Sequence, residues 1–433
     1  MAVVCFVGAG SVKFTRDLVG NILQYPELTS VVIRLHDVDR GRLETARRVV
    51  ESVARQLGIS AMVTSHIDRR EALDGADFVI NTVLIGGVTA NAADLAVAER
   101  FGVRQTVGDT LGVGGIFRAV RTFPFLQSLA NDMMELCPAA YLLNYTNPMA
   151  MNVGFLAAVA PALKVFGLCH SVQGTVTYLC GVLGVPEDEV AWSSAGVNHQ
   201  AWILSMERSG ESLYPLLDER IRADAELAST VRADMYRRFG YFPTESSKHN
   251  SEYLPWYLSH ADEVVRRGLP SAADRMRMDE NDVAAFDDLS RRLVAGGEVD
   301  IPSSVIEFAP QIIHSVVTGR QRRVQVNVPN TGLITNLPAG APVEVTASVD
   351  GSGLHTWYMG ALPVQCAALN RSYLNVVELA VHAALTQDGK ALRQAAILDP
   401  NTAATLTTDE IWELCDALAD VHGDLVPAWA RQG

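Results

Sequence analysis

The 433-residue chain carries 48 % hydrophobic and 19 % charged residues, the balance of a soluble globular protein long enough for two domains. Its formal charge of −14, from 49 acidic and 35 basic side chains with no basic block, sets nucleic-acid binding aside. A strand expected from residue 3, a longest apolar region (149–169) broken by Asn152, Pro161 and Lys164, and six scattered cysteines point to a reduced cytoplasmic protein without signal peptide or membrane span.

Over the first 170 residues, short apolar runs alternate with helical periodicity. Strands are expected at 3–7, 31–36, 62–65, 78–85, 141–145 and 165–169, and helices at 17–25, 42–57 and 118–136. That alternation predicts an α/β fold with a Rossmann-like, doubly wound parallel sheet. Beyond about residue 190 the order changes. Helices are expected at 213–236 and 364–386, strands at 323–328 and 343–349, and a turn region at 328–338. The division expected is 1–190 for nucleotide binding and 191–433 for substrate binding and self-association.

The first strand runs into Gly8-Ala9-Gly10-Ser11, and a helix follows. Glycines there let the backbone turn tightly and approach a pyrophosphate, whose charge sits on the helix N-terminus. Lys13 stands where a third glycine would complete the motif. The second strand ends in His36-Asp37, so Asp37 can hold ribose hydroxyls and favours NAD over NADP. Asn81 closes a further strand. A tight turn in some other α/β protein is the competing reading of the glycines.

Asn144-Tyr145-Thr146-Asn147-Pro148 ends the next strand; its amides either orient a sugar or nicotinamide or cap the following helix. Cys169 ends the last strand of this half, where ligand sites of open parallel sheets gather. His199 follows thirty residues on, after Asn198. A thiolate and an imidazole can hold a transition metal with positions left open for substrate. Core packing is the plain alternative for both.

Together, the Gly8–Ser11 turn, Asn144–Pro148, Gly167-Leu168-Cys169-His170-Ser171-Val172-Gln173, Gly196–Trp202 and Asn330–Pro338 resemble the NAD- and metal-dependent glycosidases of glycoside hydrolase family 4. The Cys-His-Ser-Val run looks like the α-galactosidase (melibiase) branch. The resemblance implies a Rossmann-like domain followed by a mixed α/β domain, and homodimers or homotetramers. It also implies NAD and a divalent metal, Mn by family habit, acting on a small carbohydrate. NAD takes a hydride from sugar C3, a base removes the acidified C2 proton, and the aglycone leaves by elimination. Water then adds and the hydride returns, outside the usual two-carboxylate scheme.

By position, the resemblance makes Cys169 and His199 metal ligands and His170 the acid that assists the leaving group. Asn91, Asn147 and Asn198 become sugar contacts, and Asp109 supports the base. Gly8, Gly10, Ser11, Lys13, Asp37, Asn81 and Asn144 fall to the nucleotide. Asn91 replaces an arginine of phospho-sugar members, so an unphosphorylated sugar is expected. The base departs from the family pattern, because Ser246 stands near its place. Tyr241, Glu245, Glu252 or a metal-held hydroxide would have to act instead, with Tyr241 and Glu245 put forward. Arg118, Arg237 and Arg238 would be the partners of a uronate. α-Glucuronidase, α-galacturonidase and α-glucosidase remain open within the family. A lactate/malate dehydrogenase-like oxidoreductase and a catalytically silent NAD sensor remain open outside it.

Overall fold

The computed structural model describes residues 1–301 and 307–432. Its strands are β1 (Val3–Val7), β2 (Val32–His36), β3 (Met62–His66), β4 (Phe78–Asn81), β5 (Tyr141–Asn144), β6 (Lys164–Gly167), β7 (Val190–Val197), β8 (Gln200–Arg208), β9 (Glu211–Ser212), β10 (Phe242–Pro243), β11 (Arg322–Pro329), β12 (Pro342–Asp350) and β13 (Gly353–Thr356). One sheet holds them in the order β10-β8-β7-β12-β11-β6-β5-β4-β1-β2-β3, with β13 on β12 and β9 on β8.

The six strands β3-β2-β1-β4-β5-β6 are parallel, in the strand order of the dinucleotide-binding fold. β1 and β4 read as unbroken apolar runs because helices cover both faces of the sheet there. From β11 onward the neighbours are antiparallel and the joins are narrow. β11 meets β6 only at Asn327 and Gly167, and β12 meets β7 only at Glu344 and Gly196. Asn327 also pairs with Glu344 in the long β11–β12 ladder. Gly167, Asn327, Glu344 and Gly196 therefore form one row across four strands. A Cβ at Gly167 would lie 2.9 Å from the Asn327 Cβ, so this row tolerates side chains only at its two middle positions.

The chain returns to its first half at the end. Helix Thr408–His422 packs on helix Gly87–Arg100, and helix Val364–Thr386 on helix Met149–Val159. Under this return Asp94 accepts both Nη groups of Arg121, at 2.6 and 3.1 Å, and contacts His422 Nε2 at 2.6 Å. We propose the division near residue 190 as the change from parallel to antiparallel pairing.

Several element boundaries differ from expectation for local reasons. The first helix starts at Val12, directly out of the glycine turn. The long one starts at Gly112 and carries Pro124 inside. β4 stops at Asn81, where the Asn81 side chain accepts from the Val83 N–H and turns the chain. Residues 213–236 form three helices instead of one, because Asp224 and Thr230 cap new N-termini with their side chains. Helices Gly87–Arg100 and Met149–Val159, and the β7–β8 hairpin, had no clear expectation. Among the described residues no helix is long and apolar enough to cross a membrane, and all six cysteines are free.

Candidate functional site

The glycine turn follows β1 and faces β4. Gly8 has φ +87°, and a Cβ on it would stand 2.8 Å from Val83 Cγ2, so only glycine fits without strain. Asp37 accepts from the Gly10 N–H at 2.8 Å and from Asp39 N–H at 2.9 Å; Arg42 donates to the Gly10 carbonyl. The carboxylate thus braces the turn at the carboxyl ends of β1 and β2. Ser11 is half-buried at the start of helix Val12–Leu23 and Lys13 is exposed beside it. Asn81 donates to Asn144 at 2.8 Å, and Asn144 donates to the Thr146 carbonyl. These two amides tie β4 to β5 and shape the loop that carries Asn147.

A second cluster lies past β6 and at the β7–β8 turn. β6 ends at Gly167, so Cys169 lies in the short loop before helix Ser171–Leu183. His199 sits in the tight β7–β8 turn with φ +61°, and Glu245 has φ +69°. Non-glycine residues in that region are strained and gather at functional sites. Cys169 Sγ is 3.2 Å from His199 Nε2, which is 3.8 Å from Glu245 Oε2. One donor atom from each of the three falls within 4.8 Å of the others, close enough to share one ion. Thiolate, imidazole and carboxylate together suit a first-row transition dication.

Polar contacts continue outward from this trio. Glu245 Oε1 lies 3.2 Å from His249 Nδ1, whose Nε2 is 3.6 Å from Asp109 Oδ1. The His249 ring also meets His199 edge-on, centroids 4.5 Å apart. Asn147 Nδ2 donates to Asp109 at 3.4 Å, and Arg118 donates to the Asn147 carbonyl at 3.2 Å. Arg118 also reaches Asn91 at 3.4 Å, and Asn91 donates to Asp279 at 3.0 Å. A cavity of about 190 Å³ opens beside this chain, lined by Ser246, His249, Arg275 and Met278.

Burial opposes ionisation of Asp109 and Glu245, yet the protonated His249 beside both, with Arg118 near Asp109, holds them well below the usual carboxylate range. Burial alone would lower His249, but hydrogen bonding to Asp109 and Glu245 raises it well above an ordinary histidine. Burial, with His249 nearby, pushes His199 down to about 4, so its imidazole is neutral as a ligand must be. The Cys169 thiol is pushed up to about 11 by burial. Glu307, 3.5 Å away, raises the exposed His170 to about 9, which leaves it protonated at neutral pH.

Several buried polar atoms here close no hydrogen bond of ordinary geometry: both amide atoms of Asn198, both of Gln173, Nδ1 of His199 and both carboxylate oxygens of Glu344. Burial pushes Glu344 up to about 7. Polar atoms left open beside His199 can be met by a ligand or by water.

The fold thus brings Cys169, His199, Glu245, Asp109, Asn147, Asn91 and Arg118 into one connected network. His170 adjoins it next to Cys169, with Nδ1 3.5 Å from Glu307. Tyr241 lies elsewhere, its ring edge-on to Tyr214. Glu252 is a loop clamp, accepting from Thr106, Val107 and Gly108 N–H groups at 2.7–2.9 Å. Arg237 and Arg238 both pair with Asp234, at 3.2 and 3.0 Å, with their side chains largely exposed. The sequence reading missed His249, Asp279, Glu307 and Glu344. Only His249 had a local signal, since it lies one helical turn beyond Glu245.

Comparison with known proteins agrees with this geometry. The chain matches the family 4 glycosyl hydrolase over residues 3–185 and the family's C-terminal domain over residues 194–402. It is 36 % identical to an alpha-galactosidase of Bacillus subtilis over 440 residues, covering 99 % of this chain and all of that one. It is 33 % identical to an alpha-galactosidase of Rhizobium meliloti, covering 99 % of this chain and 90 % of that one. In structure it resembles a 6-phospho-alpha-glucosidase from gut microorganisms solved with NAD and Mn2+. There the TM-score is 0.84 at 19 % identity, over 98 % of this chain and 99 % of that one.

Proposed function

The chain belongs to the family 4 glycosyl hydrolases, and from that premise we propose that it hydrolyses unphosphorylated α-galactosides with NAD and a divalent metal, Mn in the first instance. The carrying observation is the Cys169–His199–Glu245 trio: a thiol, an imidazole and a carboxylate converging in a glycosidase whose first half carries a glycine turn. The residues fit both groups. A Cβ would fill the cradle at Gly8, and the trio offers one donor atom each within a single ion's reach. When bound, NAD supplies a hydride acceptor and the ion a Lewis acid.

This chain's own residues do the rest. Gly8, Gly10 and Asp37 shape the nucleotide turn, with Ser11 and Lys13 at the helix start. Asn81 and Asn144 fix the strand ends beneath it. Asn147 and Asn198 orient sugar hydroxyls, the latter with an amide left wholly unpaired. His170 carries the proton that goes to the departing aglycone oxygen. Glu245 is the candidate base that stands in the cluster: Oε2 faces His199 and Oε1 faces His249, whose proton, held by Asp109 as well, keeps the carboxylate ionised. Asn91, which donates to Asp279, stands where phospho-sugar members carry an arginine, and this supports an unphosphorylated sugar. Homo-oligomeric assembly and a cytoplasmic location belong to the same reading; light scattering and fractionation check them.

The test is a panel of nitrophenyl α-glycosides assayed with NAD, Mn2+ and a thiol reductant, including an α-galactoside deuterated at C2. Turnover of the galactoside should require NAD and exchange the C2 deuteron with solvent. Hydrolysis that keeps every deuteron and ignores NAD would sink the proposal, and preference for a uronide would move the substrate.

A further inference from the structure

We propose that Glu344 is a positioning residue for His199: its carboxylate, through one water, accepts a hydrogen bond from Nδ1–H and so leaves Nε2 facing Cys169. This rests on the metal-centre reading above and extends it to a residue outside the trio.

Glu344 lies on β12 directly opposite Gly196 of β7, three residues before His199. On its other side it pairs with Asn327 of β11, which pairs in turn with Gly167 of β6, two residues before Cys169. Directly opposed residues in an antiparallel ladder project to the same face. The glycines at both ends of the row leave that face to Asn327 and Glu344. At Gly167 a Cβ would lie 2.5 Å from Met149 Sδ, and at Gly196 one would lie 2.6 Å from Ala201 Cα. The row thus carries an acidic side chain between the two segments that deliver thiol and imidazole.

Glu344 is 1 % exposed and neither oxygen closes a hydrogen bond of ordinary geometry; Asn327 beside it interacts with the carboxylate and donates to the Gly167 carbonyl at 3.3 Å. His199 is 3 % exposed and its Nδ1 is likewise unpartnered. The charges of Cys169, His199 and Glu245 are felt at Glu344, in keeping with its place in the row between the two donor segments. A buried carboxylate and a buried ring N–H each left without a partner carry a desolvation cost, which a bridging water removes. Metal-ligating histidines commonly give their second ring N–H to a carboxylate or a water, which fixes tautomer and ring orientation.

The test titrates cobalt(II) into the full-length, reduced, metal-stripped protein and follows thiolate-to-cobalt absorption. Wild type should show the band and Cys169→Ser should lose it; absence of the band in wild type removes the metal centre itself. Glu344→Gln, of the same shape without the charge, should bind cobalt about 10- to 100-fold more weakly while reaching the same band at saturation. Glu344→Asp should recover part of the loss. Equal affinity in wild type and Glu344→Gln overturns the inference and leaves the metal centre standing. A second readout needs neither metal nor variant folding: in 15N-histidine-labelled wild type, the neutral His199 should carry its proton on Nδ1. A proton on Nε2 overturns the inference.

Discussion

Two buried knots of acid and base lie in this molecule, and they are built differently. At Asp94, both oxygens are occupied: Arg121 and His422 approach within 2.6–3.1 Å, and Asp94 and Arg121 side chains are wholly buried. Helices from both ends of the sequence are locked there. At Glu245 the spacing is looser, 3.2–3.8 Å to His249, His199 and, one step on, Asp109. Unpaired atoms surround it, and His199 and Glu245 hold left-handed backbone. A closed network of charges ties elements together. An open one leaves lone pairs for something that the chain alone does not supply.

That contrast can be broken experimentally. The largest effect should come from the open knot. Cys169→Ser, which removes the soft ligand, should lower glycosidase kcat/KM by about a thousandfold or more, the scale of a lost Lewis-acid contact. Its urea midpoint should hardly move; a large fall in stability would make Cys169 a packing residue. The closed knot should behave in the opposite way. Asp94→Ala leaves Arg121 buried and unpaired, so stability should fall by about 3–5 kcal/mol in urea unfolding. The enzyme that remains folded at low temperature should keep kcat within a few-fold.

Gly8→Ala sharpens the comparison at the nucleotide turn. The left-handed φ and the Val83 clash should cost about 1–3 kcal/mol, read as NAD binding weakened at least several-fold by fluorescence titration. Unchanged NAD affinity would remove the turn from the cofactor site. The smallest effect belongs to Tyr241→Phe. Its ring packs on Tyr214 outside the cluster, so C2–H exchange should stay within about twofold of wild type. Loss of exchange would return Tyr241 to the role of base.

Much of the first half was legible in sequence. Apolar runs of four or five residues bounded by turns mark β1, β4 and β5, and the Gly8–Gly10 spacing marks the cradle, because both signals are local. Residue type alone offered Cys169 and His199 as possible metal donors against plain core packing, and the resemblance favoured the pair, since thirty residues separate them. Tyr241 stood level with Glu245 in sequence, with Glu252 a further possibility. The fold separated them by giving Glu252 to a loop clamp and Tyr241 to a ring stack.

The chain's own order of residues determined the parallel sheet, the glycine turn and the donor types available for a metal, because strand periodicity and φ preference act over a few residues. Tertiary structure alone decided that β11 and β12 would wedge between β6 and β7, setting Asn327 and Glu344 between the two donor segments. It also decided which of the acids would face His249. Those choices follow from pairings between residues about 150 positions apart, made by backbone hydrogen bonds and packing whose partners leave no pattern in either strand alone.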